Sequence, residues 1–377
     1  MKSKHVVLIN IDKLSASRTP LEGQAWILMP NFLSLATKSW ILSNHLTNTI
    51  NNPYYVTNII QNHLVEELKN KVNYLDLTNE LNSRIEASRL LSTAEKYEVD
   101  WSFIRNAFGD FENKNLMVEL NLRQLTPPWK LEHAFARQYF SEIPQVDNLV
   151  SETFHKTTFN GIENPHDISK HNSNAPWFDD LPNFIDYDDD KTHFRIIETF
   201  AAMLHQIDFY LGQIIQWIPE DASVILTGNT GIELGDHGDT ECNNDVPWLS
   251  KVHVPMLVYE PGKPKPFNRT SNLSQHSDFP LLINYLFNDC FENTNKVIGD
   301  IQNHLDLPTY GIRNKGFVIS QGFNKAQAIR TMEWSLIKHP NWGIKLFKQP
   351  FDYWEVFNVA GSYPEVVDFL LNKLESL

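Results

Sequence analysis

The sequence predicts an α/β fold, a mixed, mostly parallel sheet sandwiched by helices, with a small C-terminal α+β subdomain. Three observations predict it. The apolar run Val6–Ile11 ends at Asp12 and reads as a buried, parallel-type strand whose carboxyl end carries a carboxylate. A long amphipathic segment, His193 to Trp217, places Ile196, Phe200, Leu204, Ile207, Leu211, Ile214 and Ile215 on one face, as a helix packed on a sheet does. A Pro/Gly-containing link around Asp306–Lys315 then leads to short strand candidates and a terminal helix, so the expected units are 1–305 and 306–377.

Size and composition fit this. The chain has 377 residues, 42% of them hydrophobic and 12% aromatic, enough to bury one large core with room for a small second one. A formal charge of −14 without a Lys/Arg run argues against a nucleic-acid partner. Cys242 and Cys290 are too far apart in the chain for a metal knuckle or a disulfide framework and are expected to be free thiols. Met1–His5 enters the first strand with no signal-peptide pattern, and the longest apolar candidate, Phe194–Ile218, is interrupted by Arg195, Glu198, His205 and Asp208. The expectation is a cytoplasmic protein with no membrane partner.

The elements follow in order. Pro30–Thr37 opens with Pro in its first turn, and Asn51–Asn62 has Asn caps with Pro53 near its start; both read as helices. Leu77–Phe108 is helix-rich and Asn115–Leu122 is a strand leading to Thr126-Pro-Pro-Trp129. Ser151–Lys191, polar, His-rich and acidic, reads as a surface excursion. Ser223–Thr227 and Val252–Pro261 read as strands and Ser274–Phe287 as a helix. Strands are expected at Gly316–Ser320, Ala328–Ile337 and Gly343–Phe347, and a helix at Tyr363–Leu374.

The stretch Ala222–Gly238, with Thr227-Gly-Asn-Thr-Gly231 followed by Glu233-Leu-Gly-Asp-His-Gly238, resembles the metal-binding strand and loop of the sulfatase family in the alkaline phosphatase superfamily. Other landmarks follow in the family's order: Ile9-Asn-Ile-Asp-Lys-Leu14, Met29-Pro-Asn-Phe-Leu-Ser-Leu-Ala36, the helix His193–Trp217, Val252-His-Val-Pro-Met-Leu-Val258, and a tail from Arg330 through Asp352–Asn358. The resemblance implies a sulfatase-like fold over nearly the entire chain.

It also implies an active site whose residues can be matched one by one. An active sulfatase needs a divalent cation on several carboxylate or amide oxygens and a formylglycine made from Cys or Ser in Cys/Ser-x-Pro-x-Arg. Asp12 matches the first ligand, but Lys13 stands where a second carboxylate is expected, and Asn229 and Thr230 replace Asp and His. Asn51-Asn-Pro-Tyr-Tyr55 occupies the nucleophile motif and lacks both the nucleophile and its arginine, while Thr47, Thr49 and Thr57 read as caps or core residues. Thr126–Trp129 stands in place of Pro-His-x-Pro, and Lys251 comes later than the family's lysine.

The candidate catalytic residues are therefore Asp12, Lys13 and His237, and the candidate ligand-binding set is Asp12, Lys13, Asn51, Thr126, Asn229, Thr230 and His237. No cofactor is expected; Asp12 and Asn229 are the residual positions for calcium or magnesium. Lys13 could pair internally with Asp12, hold an anion, or reach solvent. His237 reads either as a cleft residue or as a loop histidine satisfied by backbone, and Glu233 is similarly open. His166, Asp167, His171, Asp179, Asp180 and Asp188–Asp190 match no metal-ligand spacing and read as a solvated loop. The expected function is a pseudoenzyme that binds an anionic small molecule or a protein partner such as an active paralogue. The alternative is a repurposed hydrolase or transferase acting on a sulfate, phosphate or carboxylate-bearing small molecule.

Overall fold

The structure is a computed structural model that describes residues 3–66, 68, 71–91, 99–111, 113–140, 177–181, 190–237, 245–262, 268–287 and 316–376. The strands are β1 His5–Ile11, β2 Trp40–Leu46, β3 Asn73–Asp76, β4 Leu116–Leu122, β5 Ser223–Gly228, β6 Met256–Tyr259, β7 Asn268–Gln275, β8 Val318–Gln321, β9 Gln327–Arg330, β10 Trp334–His339 and β11 Gly343–Lys348. The helices are α1 Pro30–Ala36, α2 Tyr55–Glu66, α3 Thr78–Leu91, α4 Ser102–Gly109, α5 His133–Ala136, α6 Asp190–Trp217, α7 Leu249–Val252, α8 Phe279–Phe287 and α9 Pro364–Glu375.

Seven strands form one sheet in the order β3-β4-β1-β5-β6-β2-β7. Only β6 runs against its neighbours, so the sheet is mixed and mostly parallel. Alternation along β1 divides the core. Val7, Ile9 and Ile11 face a cluster that includes Phe200, Leu204 and Leu211 of α6, whereas Val6 and Leu8 face one with Val56 and Ile60 of α2 and Phe279 and Ile283 of α8. The buried carboxylate of Asp208 on α6 accepts the backbone N–H groups of Asn31 (3.0 Å) and Phe32 (2.7 Å), capping α1 from outside the helix.

Four antiparallel strands, β11-β10-β9-β8, make the C-terminal sheet. Leu370 and Leu374 of α9 cover one face with Ile329, Leu336 and Leu346. The other face packs Ala328, Ile337 and Phe347 on Val246 and Trp248.

Several boundaries differ from the sequence expectation. Helix α2 starts at Tyr55, four residues later than expected, because Asn52 and Pro53 form the turn before it. Val252 belongs to the short helix α7 and the strand begins only at Met256. Ser274 and Gln275 finish β7, and the helix begins after a 3-10 turn at His276–Asp278. Ala328–Ile337 is not one strand: the chain reverses between β9 and β10, with Thr331 N–H bonded to Trp334 O at 2.8 Å. Within the expected surface excursion Trp177 and Leu181 are buried, joining clusters with Phe140 and Phe200 respectively. Cys242, Cys290, His166, Asp167, His171, Asp188 and Asp189 lie outside the described residues.

Candidate functional site

The parallel strands deliver their carboxyl ends to one edge, where open α/β sheets bind ligands. Asn10 on β1 is in register with Asn121 on β4 and Thr227 on β5. Two residues further on, at the same edge, come Asp12 and Asn229. Backbone pairing continues past the strand ends, with Asp12 N–H on Leu122 O (2.9 Å) and Asn229 N–H on Ile11 O (3.3 Å). The α2-side face of the sheet thus ends in a polar column where apolar packing stops.

Asp12 and Asn229 are brought together. The Asn229 amide nitrogen donates to Asp12 Oδ1 at 3.2 Å and also to the carbonyl of Pro53, in the turn before α2. Two acceptors fix the amide orientation, and its oxygen, Oδ1, is buried without a protein partner. Burial pushes the Asp12 carboxyl above its usual range, against the Asn229 hydrogen bond and the charges of Arg123 and Lys13. Lys13 holds φ at +66°, a left-handed conformation that turns the chain directly after Asp12.

Arg123 is a site residue that sequence reasoning missed. It follows β4, lies over the ring of Tyr54 at 5.8 Å, and acts electrostatically on Asp12. No motif marked it, because its approach to Asp12 follows from the pairing of β4 with β1. Glu119 was missed as well, although a lone acid inside Leu116–Leu122 is a sequence signal. It is fully buried and accepts from the hydroxyl of Thr57, from Tyr74 at 2.5 Å and from the Asn121 amide at 2.9 Å. Burial raises its pKa despite those bonds.

Beneath Asp12 the column is under-satisfied. Asn10 is 1% exposed with neither end of its amide partnered, and Asn121 Oδ1 and His276 Nδ1 are buried without partners too. His276 gives its other nitrogen to Gly228 O at 3.1 Å, and burial pulls its pKa down to about 3, so it stays neutral.

The remaining candidates lie apart from this cluster in their bonding. Asn51 donates its amide to Gly322 O, before the β8–β9 turn. Thr126 is exposed, and its N–H closes a turn on Arg123 O at 3.0 Å. Thr230 is buried at 6% exposure. Thr47 and Thr49 bond locally, the Thr47 hydroxyl to Thr49 O at 2.9 Å and the Thr49 hydroxyl accepting Asn51 N–H at 3.1 Å.

His237 is engaged on both ring nitrogens. Nδ1 meets Glu233 Oε2 at 2.8 Å, Nε2 meets Trp354 O at 2.8 Å, and the ring stacks on Trp248 at 3.9 Å. Burial opposes charge on this histidine, but the Glu233 hydrogen bond and the charges of Glu233, Glu355 and Asp236 outweigh it and raise its pKa. Glu233 is buried, takes a hydrogen bond from the Ser250 hydroxyl, and has its pKa pushed up to about 7 by burial. These contacts join residues 233–237 to the C-terminal subdomain rather than to Asp12. Among the described residues no group of three or more His, Cys, Asp or Glu is placed to hold a metal ion. None of their helices is long and apolar enough to cross a membrane.

Comparison with known proteins agrees with this architecture. Residues 132–283 match the Sulfatase family model. A segment of 84 residues, 22% of this chain, is 33% identical to a phosphopentomutase of Edwardsiella ictaluri (strain 93-146), of whose length the match spans 18%. Among solved structures, the phosphonate monoester hydrolase of Agrobacterium radiobacter superposes with a TM-score of 0.63 at 14% identity, covering 99% of this chain and 95% of that one. The corresponding enzyme of Silicibacter pomeroyi gives 0.62 at 12% identity over 99% and 94%. A protein solved with its substrate D-glucosamine-2-N,6-O-disulfate gives 0.62 at 12% identity over 100% and 97%. The chain thus shares the α/β fold of these solved structures, and its residues 132–283 resemble the sulfatase family.

Proposed function

We propose that this protein binds an anion at the carboxyl edge of its sheet and does not carry out metal-dependent sulfate-ester hydrolysis. One observation carries the reading: Asp12 faces an N–H of Asn229, whose orientation Pro53 O also dictates, and it is flanked by Lys13 and Arg123. A divalent cation between Asp12 and Asn229 would meet an amide N–H and two nearby positive charges, where it needs several hard oxygens. The residues as arranged do not fit such an ion. An anion meets the opposite field. Lys13 and Arg123 attract it, and Arg123 offers a planar fork of donors suited to sulfate, phosphate or carboxylate oxygens.

The hydrolase or transferase alternative, built on Asp12, Lys13, Asn229 and His237, has less support. His237 already uses both nitrogens on Glu233 and Trp354.

The test pairs calorimetric titration of inorganic sulfate and phosphate with turnover assays on aryl sulfate and aryl phosphate in the presence of calcium, magnesium or manganese. The expected result is binding that weakens about tenfold or more in Lys13→Ala and Arg123→Ala and falls with added salt, with no turnover. Stoichiometric divalent metal with turnover abolished by Asp12→Ala would overturn the reading. Stable co-purification of a paralogue without any anion affinity would favour the protein-partner version instead.

A further inference from the structure

The turn that leads into α2 shapes the strand-end site twice over. Its own geometry is fixed: Asn52 Oδ1 accepts Tyr54 N–H at 2.9 Å, Asn52 O accepts Tyr55 N–H at 3.1 Å, and Tyr54 O accepts Asn58 N–H at 2.9 Å. Within it the Pro53 carbonyl orients the Asn229 amide that meets Asp12. The next residue, Tyr54, presents its ring to the Arg123 guanidinium, 5.8 Å from the ring centroid. Two groups that act on Asp12 are thus set by adjacent residues of one turn.

The arginines that fasten this fold are committed to oxygens. Arg18 donates to Asp236 at 2.6 Å, and Arg330 donates to Glu355 at 2.9 Å and to Pro247 O at 2.6 Å. Arg123 is held differently. It is half-buried, and its backbone N–H meets Asn82 Oδ1 at 3.4 Å. Among the described residues its guanidinium forms no hydrogen bond and no ion pair, with Asp12 or with any other group.

An aromatic face within about 6 Å attracts a guanidinium through the ring quadrupole and leaves its N–H donors open. A carboxylate partner would occupy those donors. Without the ring, nothing would balance the attraction between Arg123 and Asp12, and a closed pair would offer an anion neither net charge nor free donors. Tyr54 is 51% exposed and joins none of the buried apolar clusters, so packing does not account for the ring.

We infer that Tyr54 is a positioning residue of the anion site, its ring keeping the Arg123 fork open so that an oxyanion, and not Asp12, receives the donors. The inference rests on the anion reading above and gives Tyr54 no contact of its own with the anion.

Calorimetric titration of inorganic sulfate into the full chain carrying Tyr54→Phe, Tyr54→Trp or Tyr54→Leu tests it. The Phe variant is expected to bind as the wild type does and the Trp variant as well or better, since both keep a ring face. The Leu variant should bind about fivefold more weakly. In an Arg123→Ala background Tyr54→Leu should have no further effect, because the ring acts only through that guanidinium. A crystal structure of Tyr54→Leu should show Arg123 closed on Asp12. Thermal melting, expected to be the same for all three variants at this half-exposed position, checks that each is folded. The inference is overturned if the Leu variant binds sulfate like the wild type, if the Phe variant loses as much affinity as the Leu variant, or if Tyr54→Leu weakens binding equally when Arg123 is absent. Each of those results leaves sulfate binding to the wild type intact. Failure of the anion reading is a different result, a wild type that binds no sulfate, and this inference falls with it.

Discussion

Two polar regions sit beyond the same set of strand ends and are finished in opposite ways. Around Asp12, buried polar atoms are left over: both ends of Asn10, and one oxygen each on Asn121 and Asn229. Around Glu233 and Glu355 nearly every group is spoken for. Glu355 accepts from Arg330 at 2.9 Å, from the Ser335 hydroxyl at 2.5 Å and from Leu249 N–H at 2.8 Å, while Glu233 and His237 tie Ser250 to Trp354. Arg330 Nη1 is an exception on that side. The acidic and histidine-bearing loop of this chain therefore works as a fastener between the sheets. Under the proposed reading, the under-satisfied edge by Asp12 is where an anion and its solvent complete the structure.

The contrast can be broken by mutation. The largest effect is expected from Glu355→Ala, which leaves Arg330, 3% exposed, as an uncompensated buried charge and should cost about 4 kcal/mol in denaturant unfolding. Gly231→Ala comes next. Its Cβ would lie 2.0 Å from Ser250 O and 2.4 Å from Ser15 Oγ, so the loop must shift off α7, at a cost of about 3 kcal/mol by the same measurement.

The fastener should also titrate. Glu233, raised to about 7, and His237, also raised, both favour their protonated forms in the folded state. Their contribution is complete below the ordinary glutamate value of 4.5 and is lost as pH rises through about 7 and beyond. Melting temperature should therefore fall with rising pH across that window, and Glu233→Gln should flatten the slope. A slope of opposite sign in the wild type, or one unchanged in the variant, would detach the pair from the joint.

On the Asp12 side the same kind of change should be mild. Asn10→Val removes an amide with no protein partner and should alter stability by less than about 1 kcal/mol. A loss comparable to that of Glu355→Ala would mean that a tightly held ligand or water occupies the column. The smallest expected effect is Lys13→Gly, which relieves a left-handed residue and should gain up to about 1 kcal/mol while weakening sulfate binding.

The sequence made some of this legible and hid the rest for physical reasons. Strand β1 and helix α6 were readable because burial on both faces, or on one stripe, leaves continuous or periodic apolar patterns. Strands β3 and β7 were not, because they lie at the sheet edges, where Asn268–Gln275 can be polar on its open side. Within the candidate site, Asp12 and Asn229 were found by resemblance, and the structure brings them into contact. The engagement of His237 depended on Trp354, 117 residues away, which local pattern cannot show. Arg123 was hidden because its influence on Asp12 arises from the pairing of β1 with β4 and not from any short motif.

Asp12 meets the Asn229 N–H and the charges of Arg123 and Lys13 where a divalent ion would need oxygens. A crystal grown in millimolar manganese and measured for anomalous scattering tests it most directly. The expected result is no anomalous peak at the strand ends, with the Asn229 nitrogen turned toward Asp12 and Pro53 O. A manganese ion coordinated by Asp12, with the Asn229 amide reversed to present its oxygen, would contradict it.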